Sequence, residues 1–149
     1  MAVPYPALAA LAKQYQAELA GKIVVDITNP LNFETWDELV VPADSSAAQQ
    51  LQKLLPESKV LKAFNTNFAA TLQSGKIGEL PTTVLVAGDD EDAKAAFKSV
   101  LASSALRVLN AGKLTRAREM DATGFLQMTL AASEQIGWDG GFGVVGANK

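Results

Sequence analysis

Three apolar, β-branched stretches of this chain each end in a cluster of polar side chains. Clusters of that kind can hold a planar ring or a ribose by hydrogen bonds. Lys22-Ile-Val-Val-Asp-Ile-Thr-Asn-Pro-Leu31 closes on Thr28, Asn29 and Pro30, with Gly21 in front of it. Val60-Leu-Lys-Ala-Phe-Asn-Thr-Asn67 closes on Phe64, Asn65 and Thr66, and Val84-Leu-Val-Ala-Gly-Asp-Asp90 closes on two acids. Such runs read as strands buried on both faces. Open α/β sheets bind ligands outside the carboxyl ends of their strands. The expectation is therefore one cleft floored by three strand tips, with Asp26, Thr28 and Asn29 surfacing at the first and Asp89 at the third.

Each cluster also has a structural reading. Thr28-Asn29-Pro30 is a strand-end turn by composition, since Asn-Pro favours turn initiation. Phe64 sets a ring edge against a planar ligand while Asn65 or Thr66 hydrogen-bonds it, or else Asn65 caps a helix after a buried Phe. Carboxylates in Asp89-Asp-Glu-Asp92 suit a hard cation. The same charges complement a helix N-terminus, which suffices to explain them, and no metal ligand is assigned. Gly112, in Asn110-Ala-Gly-Lys-Leu114, admits close approach of a ligand or of another backbone, and turn geometry explains it equally. Arg116, Arg118 and Glu119 read as a solvated helix face with ion pairs. The glycines after Ile136 lack the preceding strand and following helix of a dinucleotide fingerprint.

Composition excludes several chemistries. The chain has no Cys and no His, which removes disulfides, thiolate nucleophiles, Ser-His and Cys-His triads and most catalytic zinc sites. Net charge is −3 and the cations are scattered apart from Arg116 and Arg118, so nucleic-acid binding is disfavoured. No apolar run approaches the roughly 20 residues of a membrane span, and no signal-peptide pattern opens the chain. A cytoplasmic location is expected. With 149 residues, 48% of them hydrophobic, residues 1–149 are expected to form one α/β domain.

The elements that would position these clusters alternate. Residues 4–20 read as a helix showing Leu8, Leu11, Tyr15 and Leu19 to one side, with Gly21 as its C-cap. A strand at 22–27 leads into a loop at 32–43 that carries Phe33, Trp36 and acids. Ser46 and Gln49 form a capping box for a helix burying Ala47, Leu51, Leu54 and Leu55. Strands follow at 59–64, 83–87 and 106–109, with a short helix at 67–73 and an Asp89-capped helix showing Ala93, Ala96, Phe97, Val100 and Leu101. A long C-terminal helix spans 115–136, relaxed near Gly124. The alternation predicts a mainly parallel open sheet with helices on both faces. Met1-Ala-Val-Pro-Tyr5 reads as the end of a further strand.

These segments resemble, in order and spacing, the rear part of the family of NADPH-dependent reductases of the deazaflavin coenzyme F-420, a group of dinucleotide-binding oxidoreductases. The matching pieces are Ala2-Val-Pro-Tyr5, Gly21 to Leu31, Lys62-Ala-Phe-Asn-Thr66, Val86-Ala-Gly-Asp-Asp90, Asn110-Ala-Gly112 and Arg116-Ala-Arg-Glu119. The resemblance implies an incomplete Rossmann-like fold without the N-terminal Gly-rich turn, NADP(H) as cofactor and the deazaflavin as an acceptor. It implies that Val3 and Pro4 border the ribose, that Asn29 and Pro30 lie beside the nicotinamide, and that Phe64, Asn65 and Thr66 flank the stacked acceptor; Thr28 and Gly112, read from the residues themselves, complete the expected cofactor set. No catalytic side chain is nominated, because hydride transfer between bound rings needs positioning rather than a protein acid or base.

Function is thus expected to be NAD(P)-dependent hydride transfer with small-molecule partners. The alternatives are a non-catalytic remnant serving as an assembly or binding module, and a ligand-binding protein without redox chemistry. An unpaired sheet edge near Ile23–Ile27 or Val60–Phe64 predicts a homo-oligomer.

Overall fold

A computed structural model describes residues 1–146. Its main sheet has four strands: β1 (Ile23–Asp26), β2 (Lys59–Ala63), β5 (Thr83–Gly88) and β6 (Arg107–Gly112), side by side in that order. β1 and β2 are parallel, with Asp26 opposite Lys62, and β5 and β6 are parallel, with Thr83 opposite Arg107. Between the two pairs, β2 and β5 run antiparallel, Leu61 facing Gly88 and Ala63 facing Val86. Two of the three pairings are parallel, and helices cover both faces. A two-stranded ribbon, β3 (Lys76–Ile77) with β4 (Leu80–Pro81), precedes β5 and was not anticipated. It lets the chain enter β5 from the rim where β2 ends, which is why β5 reverses direction.

One face of the sheet packs Val24 and Val60 against Leu8 and Ala12 of α1 (Tyr5–Gln14) and Ala47, Ala48 and Leu51 of α3 (Ala47–Leu54). The other packs Leu61, Ala63, Val84, Val86 and Val108 against Ala93 and Phe97 of α5 (Glu91–Val100), with Leu72 of α4 (Ala69–Ser74) alongside. The expected first helix breaks at Tyr15 into α1 and a single turn, α2 (Gln16–Leu19), and Gly21 follows with φ +72°. The Ser46 half of the capping box forms, Ser46 Oγ accepting from the Gln49 amide at 3.1 Å, while the Gln49 side-chain oxygen accepts from the Ser46 hydroxyl rather than from its backbone N–H. For α5 the cap is Asp90, whose Oδ1 accepts from the Ala93 amide at 2.7 Å. Asp89, the expected cap, instead accepts from the Leu114 amide at 3.0 Å. Val100, expected on the buried side of α5, is instead 79% exposed, while Phe97 and Leu101 pack against the sheet. A short 3-10 turn (Leu114–Arg116) opens α6 (Ala117–Ala132), which runs unbroken through Gly124 and stops before Ile136.

Asp26 does not surface. It is fully buried on the α3 and α6 side of the sheet, as are Lys62 beside it and Asp121 of α6. The Lys62 ammonium lies 3.0 Å from Asp26 Oδ2 and 2.8 Å from Asp121 Oδ1, the latter as an ion pair too oblique for a hydrogen bond. Asp121 Oδ2 accepts from the Ala47 amide at 3.1 Å, at the start of α3. Four elements, β1, β2, α3 and α6, therefore meet on a buried cluster of two carboxylates and one ammonium. A buried charge is tolerated only when paired and hydrogen-bonded, so this cluster fixes how α6 lies on the sheet.

Burial pushes the Asp121 carboxyl above the ordinary aspartate range, against the opposing pull of the Lys62 ammonium. A carboxyl whose folded pKa is raised takes up its proton before the unfolded chain does as pH falls. Between the raised value and the ordinary one, acidification therefore adds stability from this group. Urea unfolding of the protein and of Asp121→Asn, at neutral and mildly acidic pH, checks this. The stability difference is expected to move in favour of the unsubstituted protein on acidification, and a difference independent of pH contradicts it.

Candidate functional site

The tips of β1 and β2 meet at one rim. Thr28 is held from both sides of its backbone: its N–H donates to Asp26 Oδ1 at 3.0 Å, and its carbonyl accepts from Lys62 Nζ at 2.6 Å. The buried charges thus set the conformation of the Thr28-Asn29 tip. The Pro30 carbonyl accepts from the Val40 amide at 2.7 Å, which anchors the following loop. Asn65 sits next to Asn29, donating through Nδ2 to Asn29 Oδ1 at 3.4 Å and to the Met120 carbonyl of α6 at 2.9 Å. Gln127 of α6 donates to the Thr66 carbonyl at 3.2 Å.

α6 therefore crosses directly over these tips, and Gly124 allows it. A Cβ at that position would lie 2.6 Å from Asn29 Oδ1 and 2.8 Å from the Asn65 carbonyl oxygen. The glycine expected to loosen the helix instead permits a close crossing. Phe64, with φ +66°, turns its ring into the opposite core, 5.4 Å from the Phe97 ring in an edge-to-face contact. α6 thus engages the Asn65 Nδ2 and the Thr66 carbonyl, Asn65 Oδ1 stays buried without a partner, and the Phe64 ring packs on α5.

Open space remains beside the β1 tip. A cavity of about 440 Å³ is lined by Val3, Pro4, Tyr5, Thr28, Asn29 and Phe33 among others, within the size range of small-ligand sites. Thr28 lines it, and the Thr28 Oγ1 is buried without a hydrogen-bond partner. A mostly apolar lining with two polar residues, Thr28 and Asn29, is the composition of a small-ligand site.

The third strand tip is elsewhere. Because β5 runs antiparallel to β2, Asp89 and Asp90 leave at the opposite rim, where Asp90 pairs with Lys59 at the start of β2 at 3.1 Å. The expectation of one cleft floored by three tips is corrected on this point. Gly112 (φ +112°) is on that opposite rim too. Its carbonyl accepts from Lys94 at 3.2 Å, and Lys94 also pairs with Glu91 at 2.7 Å. Arg116 and Arg118 form ion pairs with Glu119 on the outside of α6, at 3.6 and 3.9 Å. Gly141, Gly143 and Gly146 carry the spacing of a dinucleotide fingerprint, but no strand precedes them and no helix follows among the described residues. They fold back on α6 and β4, where Phe142 donates its amide to Gln127 Oε1 at 3.1 Å and Gly143 lies against Leu80. Among the described residues these glycines thus form no strand-to-helix phosphate turn.

Sequence reasoning missed Lys62, Asp121, Gly124 and Phe33. Signals existed for two of them. Lys62 interrupts an apolar run at a position whose neighbours point inward, and Asp121 falls on the face of α6 that buries Ala117, Met120, Gly124 and Gln127.

Comparison with known proteins gives a consistent picture. The chain is 33% identical over 126 residues to the F420-dependent NADP reductase of Methanocaldococcus jannaschii, covering 82% of this chain and 56% of that protein. It is 36% identical over 118 residues to metalloreductase STEAP3 of Rattus norvegicus, covering 79% of this chain and 22% of that protein. It therefore spans about half the length of the first relative and about a fifth of the second. A crystal structure from Arthrobacter sp. FB24, assigned by inference as an F420-dependent NADP reductase, superposes with a TM-score of 0.83 at 30% identity, over 97% of this chain and 67% of that one. A protein of unassigned function from Sinorhizobium meliloti superposes with a TM-score of 0.67 at 28% identity, over 76% of this chain and 55% of that one. No family model matches the chain. Relatedness at these identities, with the fold shared over nearly the whole chain, places it: the chain belongs to the family of the F420-dependent NADP reductases.

Proposed function

We propose that the chain serves an NAD(P)-dependent oxidoreductase, transferring hydride between NADPH and a planar acceptor, with the β1-tip cavity holding the ring and ribose end of the cofactor. The observation that carries this reading is the cavity that Thr28 and Asn29 line together with Val3 and Pro4, with the Thr28 hydroxyl buried and unpartnered behind it. The nicotinamide, when bound, supplies the transferable hydride. Thr28 Oγ1 and the Asn29 amide orient its polar edge. Val3 and Pro4 give an apolar wall that limits water at the ring. Asp26 and Lys62 act behind them, holding the Thr28 peptide groups in place. Orientation of this kind, without a protein acid or base, is what direct transfer between two rings requires. Asn65 contributes through its contact with Asn29, whereas the distance of Gly112 from this rim argues against a role for it in holding the ring. The deazaflavin named for the relatives is the natural candidate acceptor.

A second reading, an assembly or binding module, is supported by the β1 edge. Among the described residues only Met1 pairs there, accepting from the Ile27 amide at 3.4 Å and donating to the Val25 carbonyl at 2.5 Å. Ile23 is 41% exposed on that edge, and an open edge favours pairing with another chain. β2 is interior and offers none.

NADPH titration followed by Trp36 and Trp138 fluorescence separates the readings. Saturable binding at up to millimolar cofactor is expected. Thr28→Val should weaken it about fivefold, the worth of one hydrogen bond, with little loss of stability because Oγ1 has no partner in the free chain. Absence of saturable binding overturns the cofactor reading. For the edge, light scattering at micromolar protein is expected to give a dimer or larger species, reduced to a monomer by Ile23→Lys. A monomeric unsubstituted chain contradicts the proposed self-association.

A further inference from the structure

The cavity beside Thr28 has an aromatic side that the cofactor reading does not use. Phe33, 53% exposed, lines it and meets Trp36 edge to face, the ring centroids 5.3 Å apart and the planes at 85°. The pair is carried on a loop that is tightly built. An isolated bridge joins Leu31 to Leu39, the Asn32 carbonyl accepts from the Trp36 amide at 2.8 Å, and Asn32 Oδ1 accepts from the Glu34 amide at 2.9 Å. Asn32 Nδ2 donates to Glu38 at 3.0 Å. Trp36 itself sits at φ +55°, a conformation that costs a bulky residue free energy and persists only where its surroundings enforce it. The loop thus holds a large apolar ring half in water at the mouth of a polar-tipped cavity. Packing of the two rings stabilises the loop, but it leaves unexplained why Phe33 faces the cavity rather than the core.

We infer that Phe33, backed by Trp36, is the stacking platform for a planar conjugated ring, the acceptor-side ligand of this site. The inference rests on the cofactor reading for what lies across the cavity, at Thr28 and Asn29. It transfers to Phe33 the role expected of Phe64, whose ring is locked against Phe97 in the opposite core. The Met128 thioether, also in the lining, gives an adaptable wall that accepts rings of differing outline. Two-sided, ring-shaped recognition needs no positive charge here, in keeping with the absence of any cation from the cavity lining.

Flavin mononucleotide is a suitable soluble probe, because its tricyclic ring quenches tryptophan on contact. The chain has two tryptophans, so Trp138→Phe leaves Trp36 as the single reporter. In that background, saturable quenching by flavin mononucleotide is expected. Phe33→Ala should weaken it about tenfold, the range of one stacked ring, and by more than it weakens NADPH binding measured by calorimetry. Phe33→Tyr should restore it. Quenching that is absent, or equal in Phe33→Ala and its parent, overturns the inference. A variant that loses NADPH while keeping the flavin also overturns it. Failure of the parent to bind NADPH overturns the cofactor reading instead, and with the flavin series intact it leaves the aromatic site supported.

Discussion

The Lys62 ammonium, enclosed by Asp26, Asp121 and the Thr28 carbonyl, is the contact on which the arrangement of this molecule turns. An ion cluster of this kind contributes little net stability, since desolvation offsets most of the Coulombic attraction. Its effect is directional. Lys62 can reach both carboxylates only if β1 and β2 are in this register and α6 crosses at this height. Asp121 then reaches the first amide of α3, so the same side chain also sets where that helix begins. A wholly apolar core at the same place would tolerate sliding of α6 along the sheet.

The site follows from that crossing. With α6 drawn down by Asp121 and admitted by Gly124, the tips of β1 and β2 are roofed over, and their amides bond to one another and to the helix. Open space beside the β1 tip lies between the first residues of the chain, the Thr28-Asn29 tip and Phe33. The rigidity of the tip comes from groups that never touch that space. Asp26 and Lys62 hold the peptide of Thr28, a residue that lines the cavity. The exposed Phe33 ring lines the same cavity.

Much of this was legible from residue patterns, and the exceptions have physical causes. The β-branched runs named β1, β2 and β5 correctly, and the Ser46–Gln49 capping box located α3, because these are local signals. Strand direction is not local. The ribbon at Lys76–Pro81 carries too few residues for a periodic pattern, yet it reverses β5 and sends Asp89 and Gly112 to the far rim. Asp26 looked like a surfacing residue because a carboxylate at a strand end usually is one. Its counter-ion, Lys62, lies 36 positions away along the chain, a separation that no window of sequence spans. Gly124 read as a helix weakener because a missing Cβ shows its purpose only against the atoms it makes room for.

The central claim is that Asp26 and Asp121 act through one shared ammonium, and a double-mutant cycle with Asp26→Asn and Asp121→Asn measures this directly. Each single substitution leaves Lys62 one carboxylate and relieves the surplus negative charge, whereas the double variant leaves the ammonium buried without a counter-ion. The double variant is therefore predicted to lose more stability than the two singles combined, by about 1 kcal/mol or more. Additivity to within about 0.5 kcal/mol would contradict the account.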